Sequence, residues 1–250
     1  MLLDMFTVED RARIRRDLLE MARADPRIVS GAEMGSLTDD AQNRWGDLDL
    51  TFGVADGQSV DAVFDEWTDR LRARHDAIRL FDLPHRGTLY RVFLFPGNLQ
   101  VDLSLTPGAV AQMGPKFRML FGDRVTILGP LPQDRRELLG IAVHDALRTR
   151  LCVERGRLHQ AAYCLGELRN GTLSIASLNR DLPGRYGRGF DDLPQDVRER
   201  AADTLVRSIE PDEILRALTT AIGLLIAEAH GIPDVEELEP RLRELTDRTL

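Results

Sequence analysis

Three aspartates in two short alternating segments are the residues whose types and spacing point most directly to chemistry. Asp47 and Asp49 lie in Asp47-Leu48-Asp49-Leu50, and Asp102 lies in the segment 99–105. Polar and apolar residues alternate in both segments, which is typical of β-strands with one buried face. Because side chains two apart on a strand emerge on the same face, Asp47 and Asp49 are expected roughly 7 Å apart. If the second strand pairs nearby, three carboxylates meet on one patch of a sheet.

Three carboxylates at one place are unfavourable without cations, because like charges repel and buried charges lose their solvation. Mg²⁺ prefers oxygen ligands and usually brings substrate phosphates, so it is the expected cofactor. Gly35-Ser36 follows the run Arg27-Ile28-Val29 and offers a hydroxyl and backbone N–H groups to phosphate oxygens. The alternative interpretation is a half-buried antiparallel strand whose polar face carries aspartates without a ligand. The small-residue turn at Gly35-Ser36 favours the interpretation as a metal- and phosphate-binding site.

The ordered combination of Gly35-Ser36, Asp-x-Asp at 47–49 and Asp102 on a later strand resembles the DNA polymerase β type nucleotidyltransferase superfamily. The resemblance implies an α+β fold whose N-terminal domain has a small mixed β-sheet flanked by helices. It also implies that an acceptor hydroxyl attacks the α-phosphorus of a nucleoside triphosphate and releases pyrophosphate. In that reaction Asp47 and Asp49 hold one or two Mg²⁺ ions, and Asp102 either completes the metal site or accepts the hydroxyl proton. Gly35 and Ser36 take the β- and γ-phosphates.

The elements that must position these aspartates carry local signals. Residues 8–24 are rich in helix formers and Thr7 stands at the N-cap position. Ser59 is placed to cap a second helix that runs to about residue 77. A short strand is predicted to lead into the Gly35-Ser36 turn. Further strands are predicted at 47–54, 78–83, 88–95 and 99–105, the last two as a hairpin around Pro96-Gly97-Asn98.

Turn residues cluster between positions 125 and 133, and helical periodicity begins after them. We therefore expect a nucleotidyltransferase domain at 1–130 and, at 131–250, an α-helical bundle that closes over substrate and nucleotide. The predicted helices of this half span 135–155, 158–169, 173–179, 208–229 and 236–246. The apolar stretch 217–229 fits either the bundle core or the seam of a homodimer.

The second half is similar to the helical domain of aminoglycoside-type adenylyltransferases. The similarity lies in Arg155-Gly156-Arg157, Tyr163, Leu168-Arg169-Asn170-Gly171 and a glycine- and arginine-rich loop that ends at Asp192-Leu193-Pro194. It implies transfer of AMP from ATP, or of another NMP, to a small hydroxylated molecule such as a cationic aminoglycoside-like antibiotic, and hence antibiotic resistance. Candidate donors to the triphosphate are Arg148, Arg155, Arg169, Arg185 and Arg188. A solvated face or surface ion pairs are the alternative for these arginines.

The composition of the chain limits the classes of molecule that the protein is expected to bind. The chain has 250 residues, 43% apolar and 30% charged, which is typical of one large or two ordinary globular domains. The formal net charge of −8 argues against a protein that binds nucleic acid through many phosphates, although a local basic patch stays open. Two cysteines, a start without a signal-peptide pattern and apolar stretches too short for a bilayer predict a cytoplasmic protein without membrane contact.

Two other functions remain open at this stage. One is a protein-modifying adenylyltransferase of the antitoxin type, which the extensive helical half disfavours. The other is a non-catalytic nucleotide-binding module, which the presence of all three aspartates disfavours. The lead hypothesis is a small-molecule nucleotidyltransferase.

Overall fold

The computed structural model describes residues 5–34, 45–85, 87–112, 117–126 and 132–246. The chain divides into two compact units, Met1–Pro130 and Leu131–Leu250. All described strands belong to the first unit, and the second is built from helices. The predicted α+β class, with a mixed sheet flanked by helices and a helical second half, is confirmed.

The α-helices described in the first unit begin at the predicted caps. Helix α1 spans Val8–Ala24, and the side chains of Thr7 and Asp10 each accept the other's backbone N–H in a capping box. Helix α2 spans Val60–His75, and Ser59 Oγ accepts from the backbone N–H of Ala62 at 3.2 Å. The buried face of α2 consists of Val63, Phe64, Trp67 and Leu71, which recur at helical spacing.

A mixed sheet forms the centre of the first unit. In chain order the strands are β1 (Ile28–Met34), β2 (Leu48–Val54), β3 (Ile78–His85), β4 (Thr88–Phe95), β5 (Leu99–Pro107), β6 (Val110–Gln112), β7 (Phe117–Phe121) and β8 (Arg124–Thr126). The large sheet has the order β3-β4-β5-β2-β1-β7, and β6 pairs with β8 separately. Neighbouring strands within the large sheet run antiparallel, except that β2 and β5 run parallel to each other. Strands β4 and β5 form the predicted hairpin.

The core of the first unit lies between the sheet and the two helices. Phe52 of β2 packs edge-on against Trp67 of α2, with ring centroids 5.4 Å apart. Leu103 of β5 and Leu18 of α1 are buried in the same cluster. Because successive side chains on a strand alternate between faces, the intervening positions of β2 and β5 point away from the helices. Those positions include Asp49 and Asp102.

The second unit is a set of α-helices. They are α3 (Arg135–Glu154), α4 (Leu158–Leu178), α5 (Gln195–Ala202), α6 (Pro211–Glu228) and α7 (Val235–Glu244). The stretch 217–229 contributes buried side chains to the bundle core, which accounts for its apolar character. No helix in the described ranges is long and apolar enough to cross a membrane.

Three sequence predictions in this half are wrong. The helices predicted at 158–169 and 173–179 form one helix, α4. Gly171 does not break it, because one glycine inside a helix costs only about 1 kcal/mol and α4 packs along α3. Helix α5 is absent from the prediction. The helical periodicity of 135–155 predicts that Leu147 faces inward, but this side chain is exposed.

Candidate active site

The parallel pairing of β2 with β5 brings two of the predicted site residues together. Their register places Asp49 directly opposite Asp102, and both side chains are half-buried on the face away from the helices. A slip of one residue would move either aspartate to the helix-covered face, among buried leucines. The apolar positions of both strands therefore fix the register that joins the two acids.

Asp47 completes the group from the residue just before β2. One carboxylate oxygen from each of Asp47, Asp49 and Asp102 lies within 4.8 Å of the others. The backbone ahead of Asp47 is held by Arg11 of α1, whose Nη1 donates to the carbonyl oxygen of Gly46 at 2.9 Å. The structure thus brings together the three acids that the sequence singled out.

The environment of Asp102 disfavours its charged form. Burial raises the pKa of Asp102, and the neighbouring charge of Asp47 raises this pKa further. A hydrogen bond from Gln100 Nε2 to Asp102 Oδ1, at 2.9 Å, opposes both effects. A cation bound among the three acids would relieve the repulsion and favour the ionised carboxylate.

The donor set fits a hard divalent cation. Mg²⁺ takes oxygen ligands at about 2.0–2.1 Å in octahedral geometry, so oxygens on one ion lie about 3 Å apart at adjacent positions and about 4 Å apart at opposite ones. The three carboxylate oxygens lie within 4.8 Å of one another, so they would have to move closer together to bind one ion. Partial exposure of the acids also leaves room for waters or phosphate oxygens, which Mg²⁺ usually retains as ligands.

A cavity of about 320 Å³ opens beside Asp47. It is lined by Met5, Phe6, Trp45, Gly46, Asp47, Asn98 and Gln100. The backbone N–H of Phe6 donates to the carbonyl oxygen of Gly97 at 2.8 Å, which joins the segment before α1 to the β4–β5 turn. Trp45, two residues before Asp47, is among the lining residues and exposes 63% of its surface.

Sequence reasoning missed Gln100 and the segment Met5–Phe6. Gln100 was detectable, because it lies two residues before Asp102 on the same strand and so on the same face. Met5 and Phe6 gave no such signal, since their position depends on a contact with the distant turn at Gly97.

The remaining predicted site residues have different outcomes. Gly35 and Ser36 lie outside the described residues. The proposed phosphate-binding arginines belong to the second unit, where Arg148, Arg155 and Arg188 are exposed. Arg169 is half-buried, and its Nε donates to the carbonyl oxygen of Ala201 at 3.4 Å. Their roles stay predictions.

No protein-family model matches the chain, and no curated protein matches it. Among solved structures, the chain is similar to an aminoglycoside 6-adenyltransferase from Bacillus subtilis, with 16% identity over 96% of this chain and 99% of that chain and a TM-score of 0.40. It is also similar to a nucleotidyltransferase-like protein from Exiguobacterium sibiricum 255-15, with 12% identity over 92% and 87% of the two chains and a TM-score of 0.35.

Proposed function

We propose that this protein is a magnesium-dependent nucleotidyltransferase that moves an NMP, most simply AMP from ATP, to a hydroxyl of a small molecule. The observation that carries the proposal is the group of three carboxylates formed across β2 and β5, with an oxygen of each within 4.8 Å of the others. Clustered acids beside a cavity suit a reaction in which a polyanionic triphosphate must be held by cations.

Each acid has a role in this proposal. Asp47 and Asp49 hold Mg²⁺, which when bound neutralises the triphosphate and the charge that develops on it. Asp102 completes the site or accepts the proton of the attacking hydroxyl. Its raised pKa suits proton acceptance, because a general base works best when its pKa lies close to the working pH.

Residues outside the acidic group would bind the rest of the substrates. Gly35 and Ser36 are proposed to contact the β- and γ-phosphates through backbone N–H groups and a hydroxyl. Arg148, Arg155, Arg169 and Arg188 are the proposed donors from the helical unit. The net charge of −8 is compatible with a cationic acceptor such as an aminoglycoside-like molecule, and a resistance function would follow from it.

The test is an acceptor screen. The purified chain is incubated with Mg²⁺ and each labelled NTP against aminoglycosides, lincosamides and a protein extract, and pyrophosphate release and label transfer are measured. Pyrophosphate release that requires a small hydroxylated acceptor is the expected result. Label on protein would instead identify a protein-modifying adenylyltransferase. NTP binding without turnover across the panel would point to a non-catalytic nucleotide-binding module and contradict the proposal.

A further inference from the structure

Strand β3 is a long apolar strand at the end of the large sheet. Within the described part of the chain, β4 is its neighbour on one side and no strand pairs with the other. Four of its large apolar side chains are between 47% and 59% exposed: Ile78, Leu80, Phe81 and Leu83. An open strand edge of this length with exposed apolar residues is a template for pairing with another strand, and proteins usually protect such edges.

A β-bulge in β3 places its charged and its apolar side chains on opposite faces of the sheet. Arg79 pairs with Phe93 of β4 and Asp82 pairs with Arg91, with the extra residue Leu80 between them. Phe93 is buried in the core, and the Arg91 guanidinium lies 4.8 Å from the ring centroid of Phe64 in α2. Because paired residues share a face, Arg79 and Asp82 both lie on the helix-covered face. Without the bulge, residues three apart on a strand would lie on opposite faces.

The apolar residues of β3 lie on the other face. Phe81 pairs with Val92, and Val92 pairs in turn with Asp102 on the face that carries the carboxylates. Ile78 pairs with Leu94 and Leu83 pairs with Tyr90, at positions that alternate with Arg91 and Phe93. Ile78, Phe81 and Leu83 therefore share one face of the sheet edge.

We propose that β3 pairs antiparallel with β3 of a second copy of this chain. In a two-fold arrangement centred between Leu80 and Phe81, Ile78 of each copy lies opposite Leu83 of the other. Arg79 lies opposite Asp82 of the other copy, beside the Arg79–Asp82 ion pair of its own chain (Nη2–Oδ2, 2.7 Å), and Leu80 lies opposite Phe81. Apolar side chains thus meet apolar ones, and each cationic side chain meets an anionic one on the same face. Cross-strand pairs of these two kinds stabilise a sheet, whereas like charges placed opposite would destabilise it.

Pro84 agrees with this register. Proline has no N–H to donate, so it is tolerated on edge strands but interrupts a ladder that needs its donor. In the proposed register Pro84 lies opposite Ala77, which precedes β3, so the six residues 78–83 pair without it. The same two-fold arrangement leaves the carboxylate groups of both copies on one face of a continuous sheet, because a two-fold axis perpendicular to a sheet preserves its faces.

A second copy suits the edge better than an unrelated strand because the complementarity is internal to β3. Shifting the register by one residue places Arg79 opposite an apolar residue and brings side chains of opposite faces together. The sequence Ile78-Arg79-Leu80-Phe81-Asp82-Leu83 therefore selects one pairing with itself.

The first test measures association by sedimentation equilibrium up to about 100 µM, a range that covers micromolar dissociation constants. We expect dimers for the wild-type chain and a dissociation constant raised at least tenfold in Phe81→Lys and Leu83→Lys. The matched control is Leu205→Lys, an exposed apolar residue of the second unit, which should dimerise as the wild type does. Circular dichroism checks that all variants are folded. A monomeric wild type, or β3 variants that dimerise normally, would overturn the proposal.

The second test examines the register. Ile78→Cys and Leu83→Cys variants are mixed under mild oxidation, and a disulfide-linked heterodimer is expected from the mixture. Ile78→Cys alone should not cross-link, because two copies of that position are five residues out of register, roughly 17 Å apart. The native cysteines, Cys152 and Cys164, are buried and provide little background. Equal cross-linking in the single variant and the mixture would contradict this pairing, even if the chain is dimeric.

Discussion

The acids of the first unit fall into two groups that the fold treats in opposite ways. Asp25 and Asp82 are each bound by an arginine: Arg27 Nη2 donates to Asp25 Oδ2 at 2.8 Å, and Arg91 Nε donates to Asp82 Oδ1 at 2.8 Å. These bonds lower the pKa of both carboxyl groups. Burial, with a further contribution from the charge of Asp47, instead raises the pKa of Asp102, although the hydrogen bond from the Gln100 amide lowers this pKa.

Glu33 extends the first group to β1, the strand next to the β7 edge of the sheet. It is almost fully buried on β1, and Arg15 of α1 donates to it from Nε at 3.0 Å, with a further ion pair from Arg118 of β7. A buried carboxylate in this position requires such partners, because an uncompensated charge would destabilise the fold. Acids that serve the fold are therefore paired with arginines, whereas Asp47, Asp49 and Asp102 lie close enough together for one cation to bind all three.

The largest effect expected from this comparison is on catalysis. Asp49→Asn removes a metal-binding charge at the centre of the group, so we expect the transfer rate to fall by at least about 100-fold, the scale of a lost electrostatic contact in an active site. Asp69→Asn on the exposed face of α2 is the matched control and should retain full activity. The rate of pyrophosphate release with the best acceptor is the measurement. Near-normal turnover in Asp49→Asn would remove the central assignment.

Substitutions of the arginine-bound acids should lower stability, whereas substitutions within the group at 47, 49 and 102 should not. Asp25→Ala leaves the buried Trp67 Nε1, which donates to Asp25 at 3.0 Å, without its acceptor, and leaves Arg27 with Glu66 as its carboxylate partner. We expect the free energy of unfolding in urea to fall by about 2 kcal/mol. Asp102→Asn removes a repelling charge and should leave this free energy unchanged or raise it. Equal losses in both variants would contradict the division.

The pH dependence follows from the lowered pKa of Asp25. Its stabilising contribution is complete above the unfolded-state pKa, near 4, and is lost as the pH falls through the lower folded-state pKa. The stability difference between the wild type and Asp25→Ala should therefore be constant at neutral pH and shrink progressively below about pH 4. Urea titrations at several acidic pH values measure it.

Local sequence signals were sufficient for much of the fold. Thr7 and Ser59 predicted the starts of α1 and α2, and Pro96-Gly97-Asn98 predicted the β4–β5 hairpin, because caps and tight turns depend on neighbouring residues. Helix α5 and strands β6–β8 were not predicted, since short elements depend on distant partners more than on their own periodicity.

The candidate site shows the same limit. Alternation predicted which face each aspartate occupies, but the meeting of Asp49 with Asp102 required parallel pairing between strands separated by α2, β3 and β4. Nothing in either segment specifies that neighbour. The segments themselves are local signals, whereas the strand order is a property of the whole sheet.

Metal binding gives an intermediate effect that does not depend on knowing the acceptor. An ion that binds only the folded state stabilises it by about 1.4 kcal/mol at ten times its dissociation constant. We therefore expect Mg²⁺ to raise the Tm of the wild type and of Asp25→Asn, which keeps the group at 47, 49 and 102 intact. Asp47→Asn should lose this response. The same Mg²⁺-induced shift in Asp47→Asn would place the ion elsewhere.

The smallest effect concerns Gln100, whose side-chain amide donates a hydrogen bond to Asp102. Its hydrogen bond lowers the pKa of Asp102 against the effects of burial and of Asp47, so Gln100→Ala should raise this pKa further. Asp102 must be ionised to bind a cation or accept a proton. The pH below which Mg²⁺ binding is lost should therefore be higher in Gln100→Ala than in the wild type, with little change in binding at neutral pH. Calorimetric Mg²⁺ titrations between mildly acidic and neutral pH measure how Mg²⁺ affinity depends on pH. Gln195→Ala, which removes an amide donor to Glu199 in the second unit, is the control. If Mg²⁺ binding has the same pH dependence in Gln100→Ala and in the wild type, the Gln100 amide does not influence the charge of the site.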